Sequence, residues 1–215
     1  KEGWHSYFEE KAMFCDTADN IMLYKHYRYT PEFIHEHEFF EILCIYDGQA
    51  HTSIQGIEHT LHKGDVCIIP PHTKHSIGIF DDSIAFNILI RGSTFQSTFF
   101  QSLTEDSALA HFFAHVLYRK TEGNYLIFHT ANDPQIREML ENLYIEYLGH
   151  KKYSYTFLNS MLILLWAMLL RYHGDNIESI LTKDTSGNSM TNSLNYLSQH
   201  YQTATVRETA SHFGY

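Results

Sequence analysis

The sequence predicts a mainly β first part, a barrel or sandwich of short strands, followed by helices. Three observations carry that expectation. Between residues 20 and 92, apolar and polar side chains alternate at period two, with Gly, Pro, Asp or Asn between the runs. Beyond Gly92 the apolar spacing changes to the i, i+3, i+4 rhythm of helices. The 215 residues are 44% hydrophobic and 19% charged, which suits a packed core and excludes a disordered chain.

Each element has its own signal. Ile21, Leu23, Tyr27 and Tyr29 alternate with Met22, Tyr24, His26 and Arg28, and strands are expected from about residue 20. An apolar strand over Glu41–Tyr46 ends at Asp47-Gly48. Ala50–Ile54 and Glu58–His62 flank Gln55-Gly56, a tight hairpin turn. Val66–Ile69 stops at Pro70-Pro71, which cannot donate to a ladder. Ser76–Phe80 and Ile84–Ile90 flank Asp81-Asp82. Leu109, Phe112, Phe113, Val116 and Leu117 have helical spacing, and Tyr125–His129 reads as a short return strand. Asp133-Pro134 is a helix start, with a capping carboxylate before proline at the first position. The apolar rhythm then runs from Ile136 to Leu148, and Gly149 ends it. A second helix over about Tyr155–Tyr172 is apolar nearly all round, which implies burial on more than one side. Residues 174–189, rich in small polar groups, read as a linker, and helical spacing resumes at Leu194, Leu197 and Tyr201.

Composition narrows the setting. Cys15, Cys44 and Cys67 fit neither a disulfide framework nor a metal spacing and read as thiols in a reducing compartment. The first residues show no signal-peptide pattern. The longest uninterrupted apolar run, Met161–Leu170, is ten residues, short of the roughly 20 that cross a bilayer. A soluble cytoplasmic protein without a membrane partner is expected. The formal net charge of −10 disfavours nucleic acid as a partner of these residues.

Of 16 histidines, seven lie between positions 35 and 75. Two motifs organise them. The first is His35-x-His37-x3-Glu41-x6-Gly48. Two imidazoles at i and i+2 of a strand share one face, the interior face in a barrel. The second is Gly64-x5-Pro70-x-His72-x2-His75, from another strand. Three histidines and a glutamate suit a borderline divalent ion such as Zn, Ni, Mn or Fe. The same four groups, without metal, must pair with one another or with ligand if buried. His51, His59 and His62 read as solvent-side strand residues.

The two motifs, 16 residues apart from Gly48 to Gly64, resemble those of the cupin superfamily. The resemblance implies a jelly-roll (double-stranded β-helix) barrel over residues 1–92, with His35, His37, Glu41 and His75 at the ligand positions and His72 near the barrel mouth. Tyr29 and His72 stand where the superfamily has glycine, and Ile79 where it has asparagine. Sensor cupins similar to this chain keep the pattern without an established metal role, so metal-free sensing is the preferred reading.

Thr205-Val206-Arg207-Glu208 has capping-box spacing; Val206, Ala210 and Phe213 share a face, and Gly214 follows at a C-terminal cap position. The segment Leu194–Tyr215 resembles the start of the AraC/XylS DNA-binding domain, with Thr205, Arg207, Ala210, Gly214 and Tyr215 at matching positions. Thr209 departs from the leucine common there. That family implies a cupin sensor, a helical dimerisation segment over 93–173, the linker 174–189, and a helix-turn-helix domain beginning in 190–215. It implies a homodimer through the second helix, with Met161, Leu165, Trp166, Met168 and Leu169 as interface candidates. It also implies DNA contact through a longer protein rather than through this stretch, which stops inside the first helix-turn-helix unit. The expectation is a ligand-responsive transcription regulator that binds a small molecule such as a sugar, and not an enzyme. The alternative is a metal-dependent cupin enzyme, a dioxygenase or sugar isomerase, using the three histidines and the glutamate as ligands.

Overall fold

The strand register turns the alternation of the sequence into two facing sheets. The computed structural model describes residues 5–15, 20–99, 125–174, 177–179 and 205. In chain order these give β1 (His5–Phe8), α1 (Glu10–Met13), β2 (Ile21–Lys25), β3 (Ile34–His37), β4 (Phe40–Asp47), β5 (Gln49–Ile54), β6 (Ile57–His62), β7 (Val66–Ile69), β8 (His75–Gly78), β9 (Ile84–Ile90), α2 (Gly92–Phe99), β10 (Leu126–Phe128), α3 (Pro134–Gly149), α4 (Ser154–His173) and β11 (Ile177–Ser179). One sheet has the order β1-β3-β8-β5-β6, the other β11-β10-β7-β4-β9-β2. The β1–β3 pair is parallel and the other pairs are antiparallel. This is the expected cupin-like barrel with helices.

Strand β4 shows how the layers form. Leu43 and Ile45 point into the space between the sheets, where they pack with Ala50, Ile54, Leu61, Cys67 and Ile69. Phe40, Ile42 and Cys44 point the other way, into a core shared with Leu140, Leu143, Leu158, Leu162 and Leu165 of the helices. A strand buried on both faces has no polar face to display, hence the near-continuous apolar run. Strand β5, covered on one face, keeps strict alternation.

Turn chemistry sets the register. Gln55 and Gly56 both have positive φ, 53° and 76°, the conformation of a two-residue type I′ hairpin, and Ile54 pairs Ile57 across it. Gly64, at φ 92°, lies against residue 132: an added Cβ would overlap the backbone N and Cα of Asn132. Backbone cannot rotate aside as a side chain can. Gly64→Ala is therefore expected to cost about 2–4 kcal/mol, from positive-φ strain plus overlap. A urea midpoint unchanged from the parent would refute this.

The structure corrects several boundaries. Strands begin at His5, not near residue 20, because β1 pairs with the exposed edge of β3. The six-stranded sheet continues beyond Gly92 through β10, and β11 falls inside the stretch read as linker. Helix α3 starts as expected, with Asp133 Oδ1 accepting from the Gln135 N–H at 2.8 Å. The left-handed residue that ends it is His150 (φ 43°) rather than Gly149. The ten-residue apolar run understates α4, whose 20 residues are long and apolar enough on length and composition alone to cross a bilayer. The helix instead packs Leu158, Leu162, Leu165, Trp166 and Leu169 into the shared core. That corrects the interface candidates: Leu165 (1% exposed), Trp166 (4%) and Leu169 (1%) face their own domain, leaving Met161 and Met168 half-buried. The expected helix around Leu109–Leu117 and the helix-turn-helix residues Arg207, Ala210, Gly214 and Tyr215 lie outside the described residues; Thr205 is described and exposed.

Candidate functional site

Strand register brings the two motifs together. β3 aims His35 and His37 inward, β4 aims Glu41, and β8 aims His75, whose Cα lies opposite that of His35. The ring centroids of His35 and His75 are 4.1 Å apart, and those of His37 and His75 are 5.0 Å apart. Glu41 is 2% exposed and forms the centre. Its Oε2 accepts from His37 Nε2 at 3.0 Å and lies 3.4 Å from His75 Nε2. Its Oε1 accepts from Asn87 Nδ2 at 2.6 Å.

Asn87 was not among the expected site residues. It sits in the apolar run of β9 and also donates to the Tyr24 hydroxyl at 2.8 Å, with His26 Nδ1 at 3.4 Å. A lone amide at an inward strand position must find partners once buried. Ile79, which stands where the cupin motif has asparagine, fills the apolar half of the interior.

The charge state follows from burial and bonding. Burial, reinforced by the neighbouring His75, pushes His35 down to about 4, and burial lowers His37 and His26 as well. Burial pushes Glu41 upward, but the pull of His37 and His75, both close against the carboxylate, outweighs it and holds the carboxyl well below the usual range. At neutral pH the site is a carboxylate among imidazoles, of which His35 and His37 are neutral.

Tautomers follow from the fixed acceptors. His75 Nδ1 donates to the Thr73 carbonyl at 2.8 Å, and His35 Nδ1 donates to the Phe33 carbonyl at 3.2 Å. In the neutral His35 ring the Nε2 lone pair is then turned inward. His37, which donates to Glu41 through Nε2, presents a lone pair at Nδ1. Among the described residues, His75 Nε2, His37 Nδ1 and Asn87 Oδ1 are buried without a hydrogen-bond partner. Of these, His37 Nδ1 and Asn87 Oδ1 are acceptors, so the site can take donors or a cation. The ligand atoms of His35, Glu41 and His75 lie within 4.8 Å of one another. Imidazoles anchored through Nδ1 to backbone carbonyls are oriented as metal ligands are. The residues fit a divalent ion.

His72 stands apart. It is exposed, and its ring lies 6.3 Å from that of Tyr7 at 18°, outside the cluster. It has φ 60° and Tyr29 has φ 58°, so both departures from the glycines of the cupin motifs occur where the backbone is left-handed. His51 and His62 face solvent as expected. His59 does not: its side chain is 8% exposed and its Nε2 lies 2.6 Å from the Tyr125 hydroxyl.

Two curated relatives are the HTH-type transcriptional activators RhaS of Yersinia pestis (strain Pestoides F) and of Yersinia pseudotuberculosis (serotype O:1b, strain IP 31758). Each is 33% identical over 57 residues, 26% of this chain. The chain thus matches 21% of the length of these relatives. Among solved structures, an apo variant of ToxT from Vibrio cholerae overlays 90% of this chain and 69% of its own, at 12% identity and TM-score 0.49. KdgF from a Halomonas species covers 34% of this chain and 70% of its own, at 21% identity and TM-score 0.31. At these scores the overlays describe a partial likeness only. The family comparison is broader: residues 22–165, from β2 through most of α4 and including the whole His-Glu-Asn cluster, match the AraC-like ligand binding domain. The chain belongs to that family of ligand-binding domains from AraC-type regulators.

Proposed function

We propose that this chain is the sensing part of a ligand-responsive transcription regulator, and that its effector enters the barrel at His35, His37, Glu41, His75 and Asn87. The observation that carries the reading is the set of buried acceptors without partners on that cluster. A ligand rich in hydroxyl or amino donors, such as a sugar or polyol, complements it. A carboxylate or phosphate would meet Glu41 with like charge.

A second reading of the same site rests on His75 Nε2, a buried atom 3.4 Å from a carboxylate oxygen. His35, Glu41 and His75 would hold a divalent ion there. It would supply a positive charge to which a ligand oxygen could bind.

The same proposal makes the protein a homodimer that reaches DNA through a longer chain than this one. The exposed side of the helix pair suits the dimer contact. Met139, Leu164, Met168 and Tyr172 line a groove between α3 and α4, together with the polar Gln135, Glu138, Asn142 and Arg171.

A thermal-shift screen tests the effector site. A specific ligand at 100 times its Kd adds about 2.7 kcal/mol, roughly 5–10 °C for a domain of this size. Sugars and polyols are expected to shift the parent, and His35→Ala and Asn87→Ala are expected to remove the shift. If anionic acids alone stabilise the protein, and equally in both variants, the assignment is wrong. Running the screen with and without chelator separates the metal reading from direct hydroxyl recognition.

A further inference from the structure

The chain leaves α4 through a segment that is clipped to the barrel at both ends. His173 closes α4 and Ile177 opens β11, with residues 174–176 between them. The turn 129–133, which directly follows β10, holds both ends of this segment. At one end His173 Nε2 donates to Asp133 Oδ2 at 2.9 Å. At the other, Glu178 Oε2 on β11 lies 3.6 Å from His129 Nε2. The turn itself is well fixed. Ala131 and Asn132 have positive φ, 51° and 59°, the Asp133 N–H donates to the Thr130 carbonyl at 3.1 Å, and Thr130 Oγ1 donates to the Gly64 carbonyl at 2.7 Å. The segment it holds is not: β11 is a three-residue strand at a sheet edge, paired with β10. So short a ladder offers few hydrogen bonds, and the side-chain clips carry a large share of its docking.

The two clips differ in what they ask of the imidazole. His129 stands between two carboxylates, with Nδ1 3.0 Å from Asp65 Oδ1 and Nε2 facing Glu178. A carboxylate can only accept, and a neutral ring has one proton for the two of them. The protonated ring donates to both. Asp65 is fixed by accepting the His62 N–H at 2.8 Å, so Glu178 is the partner released when the ring is neutral. The other titratable groups on this side are His59 of β6, whose Nδ1 is 3.8 Å from Glu178 Oε1, and Tyr125, whose hydroxyl lies 2.6 Å from His59 Nε2. His173 faces one carboxylate and has an Nε2 proton for it in either state. Burial raises Asp133, but the Gln135 N–H and His173 outweigh it and hold the carboxyl below the usual range, so that clip keeps its charge.

We propose that residues 173–179 form a proton-controlled strap. Protonation of His129 docks β11 on the barrel through Glu178. Loss of that proton loosens the β11 end, while His173 keeps the other end tied to Asp133. The strap decides how the chain continues beyond the helix pair, because β11 is where that continuation is held. It shares no residue with the proposed effector site, so the failure of either leaves the other standing.

Hydrogen exchange at residues 177–179 of the 215-residue chain, corrected for the intrinsic pH dependence of amide exchange, tests this. Imidazoles change charge between about pH 5 and 8, so protection is compared at pH 8 and pH 6. Protection of β11 is expected to rise about two- to fivefold at pH 6, the range of a partly exposed ion pair. The amides of β4 in the core serve as reference and should gain nothing, since the buried barrel histidines act in the opposite direction. His129→Gln should remove the rise, and His59→Gln should keep it. His173→Ala should lower protection at both pH values and leave the rise in place. His129 is half-exposed, so its variant is expected to fold, which a circular dichroism melt checks. Should it not, Glu178→Gln reads the same contact and should also flatten the response. Protection of β11 that is flat between pH 8 and 6 in the parent, or that rises equally in β4, would overturn the strap. So would a rise that survives both His129→Gln and Glu178→Gln, or one lost only in His59→Gln.

Discussion

Lowering the pH from 7 to 5 is expected to remove about 2 kcal/mol or more of folding stability, most of it through the buried histidines of the barrel. His35 is pushed from 6.5 to about 4, chiefly by burial, and burial holds His37 and His26 low as well. Between the folded and unfolded values, the unfolded chain binds protons that the folded chain refuses. The stability these groups contribute is thus complete above about 6.5 and is lost as the pH falls toward 4. At pH 5, His35 alone accounts for about 2 kcal/mol of the loss. Glu41 has the same sign at lower pH: its folded value lies below the ordinary carboxylate value of 4.5, so its share is lost only below 4.5. Relief of repulsion within a chain of net charge −10 acts in the opposite direction, but it arises on exposed carboxylates and is screened at about 0.15 M salt. Urea midpoints at pH 7, 6 and 5 measure the loss. His35→Gln should flatten the profile by the share of that residue. A parent profile flat from 7 to 5 would show that the buried imidazoles carry protons in the folded state, which contradicts the acceptor-rich site.

What the sequence made legible follows from what each signal requires. His35 and His37 could be placed on one inward face because a strand has period two whatever it pairs with. The Gln55-Gly56 hairpin and the Asp133-Pro134 helix start were legible because turn and cap chemistry is local. Asn87 was not, because its role depends on β9 lying between β2 and β4, which no local pattern encodes. β1 and β11 were missed because runs of four and three residues are too short to show a period; each is recruited by the exposed edge of a neighbour. His59 was taken as a solvent-side residue because its strand alternates cleanly, and the covering groups, Tyr125 and Glu178, come from 66 or more positions later in the chain.

Leu165→Glu is expected to unfold the protein, whereas Leu164→Glu, one residue away, should leave it folded and weaken self-association. Helix α4 is apolar around its whole circumference, so composition alone does not say which side faces inward. Packing decides it. Leu165 is 1% exposed in the core shared with β2, β4, β7 and β9, together with Leu162 and Leu169. Leu164 is 51% exposed and lines the groove between α3 and α4. A carboxylate at position 165 would lose its hydration with no partner in reach, a cost of several kcal/mol against a total stability of about 5–15. The same group at position 164 stays in water and should change monomer stability by about 0.5 kcal/mol or less. If two copies meet through this groove, the charge is buried only on association, and the dimer weakens by orders of magnitude. Circular dichroism melts should therefore show a cooperative transition for Leu164→Glu and none for Leu165→Glu. Sedimentation equilibrium should show the parent as a dimer and folded Leu164→Glu as a monomer. A folded, dimeric Leu165→Glu would mean that this side of α4 is not core. A dimeric Leu164→Glu would move the contact off the groove, to a surface that the exposed Tyr27, Tyr29 and Phe80 on the barrel would be the first to test.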